Sequence, residues 1–261
     1  MGIVNVTPDS FSDGGRYFDF ERALAHAERL IAEGADLLDI GGESTRPGAV
    51  AVGVDDELAR VVPLLRALRS RGVAVSVDTS KPEVMRAALA EGAAVINDVR
   101  ALRAAGTLEA VAESGCGVVL MHMQGEPRTM QLAPHYEDVV REVGDFLRAR
   151  RDALVAAGVA RERIALDPGF GFGKTAAHNF ALLARLGELA ALGQPLLVGL
   201  SRKSMLGQAT GRAVGERVYA SVGAALLAVE RGARIVRVHD VAATRDALAV
   251  WQAVIERGEG Q

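Results

Sequence analysis

The chain has 261 residues, a formal net charge of −3 with neutral histidines, 49% hydrophobic and 24% charged residues, and one cysteine. That hydrophobic share excludes a disordered chain. The near-neutral charge gives no general attraction to nucleic acid, and no apolar run reaches the roughly 18 residues of a membrane helix.

From the N-terminus, Met1 to Val6 reads as a strand with no basic leader, so a signal peptide is not expected. Eight short apolar, β-branched runs follow one another at 3–6, 36–40, 73–77, 94–96, 117–121, 164–166, 195–200 and 234–238. Their near-continuous apolar character suits strands buried on both faces. Between them lie stretches of helical periodicity. The first, 20–33, carries Leu24, Ala27, Leu30 and Ile31 on one face and stops at Gly34. Next comes 55–69, with Leu58, Val61, Val62 and Leu65. The third starts at Pro82, tolerated in a first helical turn, and ends before Gly92. Others fall at 108–113, 137–157, 179–190, 215–230 and 241–255. Eight alternating pairs in one unbroken composition predict a single-domain α/β protein, a (β/α)8 TIM barrel. An open doubly wound sheet is the alternative. The lone Cys116 cannot form a bridge within the chain, which fits a reducing cytoplasm.

In such barrels chemistry gathers at the C-terminal ends of the strands. The polar residues collect there: Asn5, Thr7, Asp9 and Ser10 at the first, Asp39 and Gly41–Gly48 at the second, and Asp78 to Lys81 at the third. The fourth has Asn97, Asp98 and Arg100, the fifth His122, the sixth Asp167, the seventh Ser201 to Ser204, and the eighth Arg237 and His239. The opposite ends carry plain turns such as Glu33-Gly34-Ala35. Thr79, Ser80 and Asp98 can also serve as helix N-caps. Asp78, Asn97, Asp167 and Lys203 together call for a ligand or one another to offset desolvation, and Asp and Asn on one rim suit a flat heterocycle with alternating donors and acceptors. Arg237 and His239, two apart, are expected to point the same way and form a small anion site. His122, between two methionines, reads as packed or as a support behind the site residues rather than as catalytic. The Gly169–Thr175 stretch is not a nucleotide phosphate loop, because Pro168 stands where that pattern needs its first glycine. It is expected to be a mobile turn beside a ligand, walled by Phe172.

The strings themselves are similar to a known family. NVTPDSFSDGG at 5–15, DIGGESTRPGA at 39–49, SVDTSKPEV at 76–84, INDV at 96–99, LMHMQG at 120–125, LDPGFGFGK at 166–174, GLSRKSMLG at 199–207 and IVRVHDV at 235–241 resemble dihydropteroate synthases, pterin-binding TIM-barrel enzymes. The resemblance implies a transferase of folate biosynthesis that condenses 6-hydroxymethyl-7,8-dihydropterin diphosphate with 4-aminobenzoate, giving 7,8-dihydropteroate and diphosphate. It implies that Asp78, Asn97, Met121, Asp167, Phe172 and Lys203 hold the pterin. It places Asn5, Thr45, Arg237 and His239 at the diphosphate, with Asn5 near a Mg²⁺ ion. It places Pro8, Phe11, Arg46, Pro47 and Ser204 at 4-aminobenzoate, Phe11 and Pro47 being positions linked to sulfonamide discrimination. Asp9, Asp78, Asp167 and Lys203 are the candidate catalytic residues. The expected partners are these small molecules and a second copy, a homodimer through the small, apolar stretch 220–229, with no nucleic acid or membrane. The chain is expected to lack the short N-terminal segment usual before the first strand. Alternatives are a methyltetrahydrofolate:corrinoid methyltransferase sharing the pterin acids, a Schiff-base aldolase using Lys203, and a non-catalytic folate-binding paralogue.

The chain holds only three lysines, Lys81, Lys174 and Lys203, against 27 arginines. All three follow predicted strands.

Overall fold

The computed structural model describes residues 1–6, 16–45 and 48–258. Eight parallel strands pair in chain order: β1 Gly2–Asn5, β2 Leu37–Gly41, β3 Ala74–Asp78, β4 Val95–Asp98, β5 Gly117–Met121, β6 Ile164–Asp167, β7 Leu196–Val198 and β8 Ala233–Val236. Ile3 N donates to Val238 O at 3.1 Å and Val238 N to Met1 O at 2.9 Å, so the last strand closes onto the first. This is the expected (β/α)8 barrel in a single domain, and not the open sheet. The helices are α1 Arg16–Ala32, α2 Val54–Leu68, α3 Pro82–Ala90, α4 Thr107–Ala112, α5 Val139–Ala156, α6 Ala176–Ala184, α7 Leu186–Ala190, α8 Ser204–Thr210, α9 Val218–Glu230 and α10 Val241–Gly258.

Side-chain period two explains how apolar strands serve two layers. Val4, Leu38, Ile40, Val75, Val77, Ile96, Val118, Leu120, Ile164, Leu166, Leu196 and Val198 join the core formed with the helices. Their neighbours therefore face the barrel axis. Near its N-terminal end the axis is filled by Met1, Val119 and Leu197, with Leu37, Val95, Ala165 and Ile235 against them. Continued towards the C-terminal end, the same inward rows deliver Asp39, Asp78, Asn97, Met121 and Asp167. Register places Asn5 beside Gly41, Gly41 beside Asp78, Asp78 beside Asn97, and Met121 beside Asp167.

Three local expectations are corrected. The segment 179–190 is two helices, broken at Arg185. A helix absent from the sequence reading, α8, follows β7; with seven residues and only Met205 and Leu206 buried, it is too short to show a period. A 3-10 turn, Val214–Glu216, precedes α9, which starts at Val218.

Candidate active site

The floor of the C-terminal mouth is a charged cluster. Asp39 is fully buried in β2. Its Oδ2 accepts from Arg237 Nε at 2.5 Å and from Asn97 Nδ2 at 3.1 Å. Arg237 Nη2 also donates to Asp78 Oδ2 at 3.3 Å. One guanidinium thus bridges two carboxylates. Burial, then the neighbouring Asp39, raises the Asp78 carboxyl to about 8. Asp167 is buried too, and burial raises it to about 6 despite the bond from Gly169 N to its Oδ1 at 2.7 Å. The buried Oδ1 atoms of Asp39 and Asn97 have no hydrogen-bond partner among the described residues. Buried acceptors without donors are costly, so they are places where a ligand's N–H groups would be favoured.

The β6–α6 connection forms the wall. Gly169, Gly171 and Gly173 all have positive φ, at 67°, 81° and 61°. A Cβ at Gly169 would stand 1.9 Å from His122 O, and one at Gly173 2.4 Å from Gln124 O, so only glycine fits this close approach. The expected mobile turn is instead pinned. Asn179 Oδ1 accepts from Gly171 N at 2.8 Å, Tyr136 Oη donates to Gly173 O at 2.9 Å, and Lys174 Nζ donates to Gly169 O and Phe172 O, both at 3.0 Å. Phe172 packs against Val99, Met121, Met123 and Met130. Lys203 Nζ sits 4.3 Å from the Phe172 ring centroid, a cation–π contact. His122 packs edge-on against Phe146 with centroids 4.9 Å apart, as expected of a packed residue, and burial pushes it down to about 2.

The capping alternative for the polar strand-end residues is also resolved. Helix α3 has no side-chain cap. Ser80 donates to Asp98, whose carboxylate also accepts from Arg100 N and Leu102 N, each at 2.8 Å. Asp98 thereby holds a tight loop in which Ala101 and Leu102 adopt left-handed conformations. Lys81 supports the mouth from behind. It pairs with Glu43 of the β2–α2 loop and with the fully buried Glu57 of α2.

These inward acids, the single bridging arginine and the Phe172–Lys203 wall occupy the positions of the quoted motifs. The family profile for pterin binding enzymes matches residues 1–239. The chain belongs to this pterin-binding enzyme family. The dihydropteroate synthase of Neisseria meningitidis serogroup B is 56% identical over 97% of this chain and 92% of that protein. Among solved structures, Xanthomonas albilineans dihydropteroate synthase with 4-aminobenzoic acid is 59% identical, with a TM-score of 0.92 over 97% of this chain and 92% of that one. Burkholderia cenocepacia dihydropteroate synthase complexed with 7,8-dihydropteroate is 57% identical, with a TM-score of 0.91 over 100% and 92%.

Set in this pterin-binding frame, the remaining candidates are distributed as follows. Asp78, Asn97, Met121, Asp167, Phe172 and Lys203 converge on the mouth. Asn5 and Thr45 are half-buried at the ends of β1 and the β2–α2 loop, and Ser204 is exposed at the start of α8. Strand β8 ends at Val236, so Arg237 and His239 lie just beyond it. They have separate partners, since His239 Nδ1 lies 2.9 Å from Ser201 Oγ while Arg237 engages the two aspartates. Pro8, Asp9, Phe11, Arg46 and Pro47 lie outside the described residues. Sequence reasoning placed Asp39 at a strand end but gave it no role. Its signal was a carboxylate set between Leu38 and Ile40 in a buried strand.

Proposed function

We propose that the chain is the transferase that joins 6-hydroxymethyl-7,8-dihydropterin diphosphate to 4-aminobenzoate, forming 7,8-dihydropteroate and diphosphate. The observation that carries this reading is the mouth cluster of Asp39, Asp78, Asn97, Asp167 and Arg237 facing the Phe172–Lys203 wall. It presents carboxyl and amide groups to a flat, nitrogen-rich ring and a cation over an aromatic face to its edge. High identity to synthases over nearly the whole chain supports this reading over corrinoid methyl transfer. The charged Lys203 side chain against Phe172 suits a binding cation better than a neutral Schiff-base amine.

The chemistry follows from the leaving group. The bond from the ring-bearing CH₂ to the diphosphate oxygen breaks, and the electron pair departs with diphosphate. The resulting cation is delocalised into the pterin, close to Asp167 and Asp78. Asp167, raised only to about 6, supplies negative charge at neutral pH, whereas burial and the neighbouring Asp39 hold Asp78 closer to its protonated form. The 4-aminobenzoate nitrogen uses its lone pair to form the new C–N bond, and its proton goes to solvent. An arylamine is neutral at pH 7, so no strong base is required. Thr45, Arg237 and His239 serve the diphosphate end in this reading, with Pro8, Phe11, Arg46, Pro47 and Ser204 around 4-aminobenzoate and Asp9 beside the reacting carbon.

No group of three or more His, Cys, Asp or Glu side chains able to hold a metal occurs among the described residues. A half-buried Asn5 amide at the mouth fits Mg²⁺ carried largely by water and substrate phosphate oxygens. Bound there, Mg²⁺ supplies neutralisation of the departing diphosphate. No described helix is long and apolar enough to cross a membrane, and a cytoplasmic location completes the proposal. A homodimer is supported by apolar side chains exposed on α9 and α10, among them Tyr219, Leu227, Val250 and Val254.

A coupled diphosphate-release assay tests the function. Sustained release is expected only with the pterin diphosphate, 4-aminobenzoate and Mg²⁺ all present. Release that continues unchanged without 4-aminobenzoate would sink the proposal.

A further inference from the structure

Lys174 is 3% exposed, and its Nζ lies 3.0 Å from Gly169 O, 3.0 Å from Phe172 O and 2.9 Å from His122 Nδ1. An ammonium only donates, so Nδ1 accepts and His122 carries its proton on Nε2. Burying a cation against carbonyls and a neutral imidazole is unfavourable, and burial pushes Lys174 down to about 7. The two carbonyls it holds belong to the residues that aim the pterin wall. Gly169 donates its N–H to Asp167 Oδ1 at 2.7 Å. Phe172 closes the turn by donating its N–H to Gly169 O at 3.1 Å, and carries the ring under Lys203. The stem of Lys203 crosses Gly171, where a Cβ would stand 3.2 Å from its Cδ.

We propose that Lys174 is a positioning residue for the pterin site, fixing through the Gly169 and Phe172 carbonyls the turn that orients Asp167, Phe172 and Lys203. The role rests on the pterin reading of the mouth. Lys174 touches no ring itself; it sets where the groups that do touch it stand. Without the ammonium, the Phe172 carbonyl loses its donor, the Gly169 carbonyl keeps only the Phe172 N–H, and the turn relaxes away from the Met121 side of the mouth.

Calorimetric titration of the full-length chain with 6-hydroxymethyl-7,8-dihydropterin tests this. The unsubstituted chain is expected to bind. Lys174→Met, shown folded by its circular dichroism, is expected to bind at least ten-fold more weakly. Phe172→Leu is expected to lose affinity as well, and the double variant to bind no more weakly than the worse single variant, because both act on one wall. A folded Lys174→Met with affinity within two-fold of the unsubstituted chain overturns the role, as does a double-variant loss equal to the full product of the single losses. Absence of binding by the unsubstituted chain overturns the pterin reading and the role with it. If the methionine variant does not fold, Lys174→Gln, which keeps N–H donors on a shorter, uncharged side chain, is titrated instead. A loss of at least three-fold is then expected, and unchanged affinity overturns the role.

Discussion

Arg237 Nε donates to Asp39 Oδ2 at 2.5 Å across 198 residues of chain, tying the end of the last strand to the second. The bond is electrostatic and topological at once. It closes the barrel mouth and also fixes the guanidinium that Asp78 shares.

Removing Asp39 should therefore be costly. Asp39→Ala leaves a largely buried guanidinium with only Asp78, and takes an acceptor from Asn97. A loss of about 3–5 kcal/mol in unfolding free energy is expected by urea titration. A loss under about 1 kcal/mol would show that the pair is not a structural element.

The stability held by two buried carboxyls should also fall as pH rises. Asp167 and Asp78 have folded-state values raised to about 6 and about 8, above the ordinary 3.8. At these two carboxyls the folded state binds more protons than the unfolded one between 3.8 and those values, so their contribution to unfolding free energy declines with pH across that window. His122, pushed down to about 2, and Lys174, pushed down to about 7, contribute the opposite slope below pH 6.5 and above pH 7. Urea midpoints from pH 4 to 9 give the slope. Asp167→Asn is expected to remove its declining share between pH 4 and 6, and an unaltered slope there would contradict the assignment.

Asp167→Ala is expected to abolish pterin binding in calorimetry while leaving the barrel folded. The cost to stability is about 1–3 kcal/mol, because Gly169 N loses its acceptor in a buried turn. Unchanged pterin affinity would remove Asp167 from the site.

Lys81 carries a different consequence. Lys81→Met would strand Glu57, which is fully buried in α2 and already has one oxygen without a partner among the described residues. The expected loss is about 3–5 kcal/mol by chemical denaturation. Lys81→Met combined with Glu57→Leu should recover most of it, since an apolar pair of similar volume leaves no buried charge.

Much of this site is legible in the sequence. The strands were apolar on nearly every residue, which only a sheet covered on both faces explains, and the polar residues clustered after them at one end. Asp78, Asn97, Asp167 and Lys203 stood out because several polar groups at strand ends must find a ligand or one another. Helix α8 was missed because seven residues span too few turns to show a period. The Gly169–Gly173 turn was misjudged because glycine content reports what conformations are open, whereas rigidity came from Lys174, Asn179 and Tyr136, which lie outside the turn.

The sequence by itself determined the barrel, the end that carries chemistry and the family, since these depend on local period, turn chemistry and ordered motifs. It singled out three lysines and gave a site role only to Lys203. Only the tertiary structure separated them: Lys81 holding Glu43 and Glu57, Lys174 holding the glycine turn, and Lys203 lying over Phe172. The same holds for Asp39 and Arg237, whose pairing no local pattern encodes. Partners 198 residues apart become neighbours only when the barrel closes, and burial, which sets both their charge cost and their neighbours' proton affinity, exists only in the closed form.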